Sequence, residues 1–68
     1  MHDYNSTVPI YKKPLLTIEE ASAYTNIGQN KISELLNNPR CKFVLYVGTK
    51  RLVKRQELEK YLADEIEI

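Results

Sequence analysis

The sequence predicts a small α+β domain of three short helices and one β-hairpin, on the strength of three features of the 68-residue chain. Between Leu16 and Leu36 apolar residues recur at helical spacing in two runs, broken by Asn26-Ile27-Gly28, as two helices joined by a sharp turn would require. Between Phe43 and Val53 the character changes to β-branched, aromatic and aliphatic residues flanking Gly48-Thr49-Lys50, which reads as a hairpin. From Arg55 to Leu62 helical spacing returns, with Leu58, Tyr61 and Leu62 on one face. A chain of this length buries only about 60% of its unfolded surface, so it forms one domain with a modest core and no large active site.

Residues 1–7 carry no apolar pattern, and a disordered N-terminal tail is expected there. Val8-Pro9-Ile10-Tyr11 is expected to add an edge strand to the hairpin, because proline is tolerated where no ladder donor is needed. Thr17 followed by Glu20 makes a capping box, so the first helix should begin at Ile18, with Ala21 and Tyr24 continuing its apolar face. Asn26 sits where the chain must turn, since a left-handed conformation costs Asn little, and Ile27 should plug that turn. Gly28 is the expected N-cap of a second helix, which Asn37-Asn38-Pro39 stops after Leu36. Ile32, Leu35 and Leu36 form its buried stripe, and Asn30, Ser33, Glu34 and Asn37 its polar side, flanked by Lys31. The domain thus spans residues 8–62, and residues 63–68 form an acidic tail anchored only by Ile66 and Ile68.

The three helices, the hairpin as a wing and the edge strand together make a small winged helix-turn-helix. An exposed helix of two to three turns, braced by a second, is the element that enters a DNA major groove and presents polar side chains to base edges. An ordinary helical hairpin would show the same spacing, so the charge distribution matters. The net charge is only +1, yet the chain from Glu34 to Glu57 contains no acid between those two residues and does contain Arg40, Lys42, Lys50, Arg51, Lys54 and Arg55. Asp64, Glu65 and Glu67 cluster at the far end and hide this basic block in the total. The block is expected to face phosphates, with Lys50 and Arg51 at the hairpin tip reaching a minor groove or the flanking backbone. The expected recognition-helix contacts are Gln29, Asn30, Lys31, Ser33, Glu34 and Asn37; the expected wing and phosphate contacts are Lys42, Gly48, Thr49, Lys50, Arg51, Lys54 and Arg55.

Composition narrows the other classes. Charged residues make up 28% and hydrophobic ones 43%, as in an ordinary globular domain. No apolar run reaches membrane-spanning length and the N-terminus lacks the apolar core of a signal peptide, so the expected location is the cytoplasm, away from any membrane. Cys41 is the single cysteine and His2 the single histidine, so neither a disulfide nor a metal site is expected, and Cys41 reads as a small, partly buried residue. Of the five tyrosines, Tyr11, Tyr24, Tyr46 and Tyr61 fall within or beside apolar patterns and are expected to pack in the core; Tyr4 has no arginine-histidine cluster to activate it. No nucleophile pair, general base or phosphate-cradling loop is present, so an enzyme is not expected, nor a cofactor or small-molecule ligand.

From Val8 to Leu62 the chain resembles the small winged-helix excisionases, or recombination directionality factors, of conjugative transposons that use a tyrosine integrase. The segments that carry the resemblance are VPIY from Val8, LTIEEAS from Leu16 with Tyr24 and IG-x-NK from Ile27, the hairpin ending in VGTKRLVKR, and the closing ELEKYL. The resemblance implies a non-catalytic architectural protein that binds repeated sites on double-stranded DNA near the ends of a mobile element, several copies side by side. It implies further that the protein bends the DNA and helps the integrase assemble the complex that excises the element. It maps the recognition helix onto Gly28 to Asn37 and the wing onto Gly48 to Arg51. Members of that family often place arginines in the middle of the recognition helix, where this chain has Ser33 and Glu34. A carboxylate there repels phosphates but can accept from a cytosine amino group.

Two other readings remain open at this level. A small transcriptional regulator of the mobile element would need the same surface. A protein-interaction module would instead use the acidic C-terminal tail on a basic partner, with an affinity that barely responds to salt.

Overall fold

The computed structural model describes residues 8–68, so the expected tail Met1–Thr7 lies outside the described residues. A 3₁₀ turn at Ile10–Lys12 leads into strand β1 (Leu15–Leu16), helix α1 (Ile18–Thr25) and helix α2 (Gln29–Asn37). Strands β2 (Val44–Val47) and β3 (Lys50–Lys54) follow, and helix α3 (Arg55–Asp64) closes the chain. The sheet is antiparallel in the order β1-β3-β2, which puts β3 at its centre. This is the winged helix-turn-helix architecture that the sequence predicts.

The N-terminal edge strand exists, but not at Val8–Tyr11. Pro9 caps the 3₁₀ turn, whose closing bonds run from the Lys12 and Lys13 amides to the Pro9 and Ile10 carbonyls, each at 3.0 Å. Pro14 then holds Lys13 in an extended conformation, as the residue before a proline favours. The chain therefore pairs only after Pro14, with Leu15 opposite Lys54 and Leu16 opposite Val53.

Helix α1 starts where the capping box dictates. The Glu20 amide donates to Thr17 Oγ1 and the Thr17 amide to Glu20 Oε1, both at 3.0 Å. Glu20 also takes a hydrogen bond from the amine of Lys13, which is itself buried. Burial pushes the Glu20 carboxyl up, but the Lys13 hydrogen bond, the Thr17 bonds and the Lys13 charge together hold it below its ordinary value. At the other end Asn26 adopts the left-handed conformation, with φ 63°.

One core unites all of these elements. Leu16 from β1, Ala21 from α1, Ile32 and Leu36 from α2, Phe43, Val53 from β3 and Leu58 from α3 are all buried, with Ile27, Leu35, Cys41 and Tyr61 packed against them. The Phe43 and Tyr61 rings lie 5.2 Å apart at 45°. Among the described tyrosines, Tyr61 alone meets the core expectation. Tyr11 is 59% exposed, Tyr46 62% and Tyr24 38%. The Tyr24 hydroxyl donates to Glu59 on α3, which explains why its ring stops at the rim; Tyr46 lies near the hairpin tip, beyond the reach of the core. Helix α3 runs on through Asp64, and Ile66 beyond it is fully exposed.

Candidate nucleic-acid interface

The turn between α1 and α2 is held by its own side chains. The Asn26 amide donates to the Ser22 carbonyl at 2.8 Å, Ser22 Oγ donates to the Ile27 carbonyl at 2.5 Å, and Thr25 Oγ1 donates to the Ala21 carbonyl at 2.7 Å. These bonds fix how α2 leaves α1. Gly28 caps α2 without a side chain, and the helix buries Ile32 and Leu36 while Gln29, Asn30, Glu34 and Asn37 stay exposed. Gln29 and Asn30 make no side-chain hydrogen bond to another described residue, so the first turn of α2 offers two amide groups to solvent. Lys31 and Glu34 pair with each other at 2.9 Å, one turn along the exposed face.

The hairpin turns on Gly48-Thr49, with Val47 opposite Lys50. Gly48 has φ 61°, the arrangement of a type II′ turn with glycine first, and a side chain there would be strained. Residues alternate along β3: Val53 points into the core and Arg51 stands on the same face, whereas Lys50 and Lys54 stand on the outer one. Lys50 is exposed at the tip and forms no ion pair with a described residue.

Arg51 behaves differently. Its guanidinium turns back to α2, where one terminal nitrogen donates to Asn37 Oδ1 at 2.6 Å and to the Ser33 carbonyl at 3.4 Å, and the other donates to Ser33 Oγ at 2.9 Å. Ser33, Asn37 and Arg51 are thus brought together, across the gap between helix and hairpin. Arg55 stands apart from this face. Its Nε donates to the Lys13 carbonyl at 2.8 Å and a terminal nitrogen to Glu59 at 2.9 Å, tying α3 to the N-terminal segment. The Tyr24 hydroxyl and Arg55 both bond Glu59, which keeps its carboxyl below the ordinary value; the same Glu59 bond pushes the Tyr24 hydroxyl up.

Lys42 lies in a cleft of about 440 Å³ that Phe43, Lys60 and Tyr61 also line. Lys12 is a cation that the sequence pattern does not single out. It is exposed and lines a shallow groove shared with Lys50 and Leu52, so it adds positive charge beside the hairpin. The signal was the Lys12-Lys13 pair, but only the fold separates a buried structural lysine from an open one. Among the described residues, no group of His, Cys, Asp and Glu is arranged to hold a metal ion, and no helix is long and apolar enough to cross a membrane.

Comparison with known proteins bears on the same elements. A family model described as a helix-turn-helix domain matches residues 15–65, from β1 to the end of α3. The chain is 38% identical over 56 residues to the excisionase from transposon Tn916 of Streptococcus agalactiae serotype V, covering 81% of this chain and 84% of that protein. No solved structure matches the chain.

Proposed function

Because the chain belongs to the helix-turn-helix domain family, among its excisionase-like members, we propose that it is an architectural DNA-binding protein. In this reading it bends double-stranded DNA at the ends of a mobile element and promotes excision by a tyrosine integrase, without cutting a strand itself. The observation that carries this reading is the pairing of an open polar helix face, led by Gln29 and Asn30, with an exposed lysine at the tip of the adjacent hairpin that forms no ion pair with a described residue.

Each part has a role that its chemistry suits. Asn30 and Gln29 carry the donor and acceptor pair that matches adenine in the major groove, and Glu34 can accept from a cytosine amino group. Lys31 adds charge beside them. Lys50 and the Gly48-Thr49 turn reach the neighbouring minor groove or its phosphates, while Lys12 and Lys54 add positive charge on the flank. A helix in one groove and a hairpin in the next grip the duplex at two points. Curving the duplex lets both engage together. The elastic cost of such a bend is of order 1–6 kcal/mol, which the simultaneous grip of helix and hairpin can offset. Several copies side by side would bend it further. The acidic tail begins at the C-terminal end of α3, where Asp64 lines the same cleft as Arg40 and Lys42.

Footprinting on the ends of the parent element and on its regulatory region tests the proposal. Protection at the ends, in repeated blocks, is expected. Protection confined to a promoter would replace the architectural role with that of a transcriptional regulator using the same surface.

A further inference from the structure

We infer that Arg51 is a positioning residue: it locks the hairpin to α2 and so fixes the separation of the two elements that grip DNA, instead of contacting DNA itself. The inference rests on the DNA-binding reading of this face and revises which side chains can serve it.

The apolar packing that holds the hairpin against the domain ends at Val44 and Val53, which face each other across β2 and β3. Farther toward the tip, Tyr46 and Val47 are 62% and 50% exposed, so no apolar packing orients that part of the ribbon. Arg51, opposite Tyr46, supplies the missing tie. Its fork reaches Ser33 Oγ, the Ser33 carbonyl and Asn37 Oδ1, acceptors that lie one turn apart along α2. A planar guanidinium can meet such a set at once, and a single ammonium cannot. All three acceptors are neutral groups, so the Arg51 charge is not cancelled and still adds to the attractive field. Two consequences follow. Ser33 and Asn37 have acceptor atoms occupied by Arg51 and Lys31 and Glu34 bond each other, which leaves Gln29 and Asn30 as the helix side chains with no bond to another described residue. Replacing Arg51 with Lys preserves charge while removing the geometric lock.

The test compares the full chain with its Arg51→Lys, Ser33→Ala and doubly substituted variants. The probes are a duplex enriched from random sequences by the wild-type protein and a scrambled duplex of the same composition. Arg51→Lys should leave affinity for the scrambled duplex and the salt slope unchanged, weaken binding to the enriched duplex about three- to tenfold, and reduce the bend. Ser33→Ala should show part of that loss, and the double variant should lose no more than Arg51→Lys alone. Equal losses on both duplexes with a shallower salt slope would show direct phosphate contact and overturn the inference; so would losses that add, or an unchanged enriched-duplex affinity. Should Arg51→Lys melt before binding can be measured, Ser33→Ala, which removes one bond and no charge, decides by the same criteria. If the wild type binds no duplex, the DNA reading fails, yet the lock is still read in the protein alone. Residual dipolar couplings should then place Gly48–Arg51 at one fixed orientation to α2 in the wild type and at a broader range in Arg51→Lys. Identical couplings would remove the lock.

Discussion

The two sides of this small domain use polar side chains to opposite ends. Around β1, α1 and the start of α3, Lys13, Glu20, Arg55 and Glu59 satisfy one another and the backbone, and Lys13 is buried. Around the open face of α2 and the hairpin tip, Gln29, Asn30 and Lys50 are exposed and make no side-chain bond to another described residue. The charged groups on the first side close the fold; the lysine and amides on the second are open to solvent. In a domain with so little core, polar bonds must do both jobs, and the direction of each side chain decides which.

The contrast can be broken most forcefully inside α2. Leu36→Ala, on its buried face, should lower stability by about 2–5 kcal/mol, read from denaturant unfolding, because it empties part of the one shared core. Asn30→Ala, on the open face of the same helix, should leave the unfolding curve in place and weaken binding to the cognate duplex by about 1–3 kcal/mol, with relaxed preference at one base, adenine by its chemistry. Unaltered discrimination among single-base variants would remove Asn30 from the readers.

Two basic residues, Lys50 at the start of β3 and Arg55 at the start of α3, sharpen the comparison. Arg55→Ala should cost about 1–2 kcal/mol of stability, since it leaves the Lys13 carbonyl without its side-chain donor and Glu59 with Tyr24 alone, and should leave the salt dependence of DNA binding as it was. Lys50→Ala should do the reverse: unchanged stability, weaker binding to any duplex, and a salt slope smaller by about one. A shared phenotype for the two would mean that the division between scaffold and open cations is wrong.

The smallest effect lies in the pH dependence of folding. Glu20 has its carboxyl held below the ordinary value in the fold, so between the folded and unfolded values the unfolded chain binds more protons. Its contribution is therefore complete above the unfolded value, about 4.3, and is lost as pH falls through the lower folded value. Glu20→Gln should flatten the decline of stability below about pH 4.3 in acid titrations followed by circular dichroism. A slope unchanged by the substitution would mean that the Lys13–Glu20–Thr17 cluster does not act as described.

Much of this fold is legible in local sequence because its determinants are local. Thr17 and Glu20 lie within one helical turn, Asn26 takes its left-handed conformation at the residue where the pattern breaks, and Gly48 supplies a positive φ within a two-residue turn. What is not legible depends on partners distant in sequence. The edge strand forms at Leu15–Leu16 because Pro9 and Pro14 shape the approach and β3 supplies the partner. Three tyrosines with apolar neighbours are exposed, since nothing in their spacing shows where the core ends. The basic block between Arg40 and Arg55 looks uniform, yet Arg51 reaches back to Ser33 and Arg55 to Lys13, so neither is an open cation. A run of like charges records composition, and only the packed structure sorts cations that anchor the fold from those open to solvent.

The central claim is that the open face grips DNA at two points and bends it for excision. Its most direct measurement is excision of the parent element by its integrase with and without this protein, run beside a permuted-site gel on the same end fragments. The account predicts excision that depends on the protein and a mobility that changes with the position of the site. Excision that proceeds equally well without it, from DNA that it binds but leaves straight, would contradict the account.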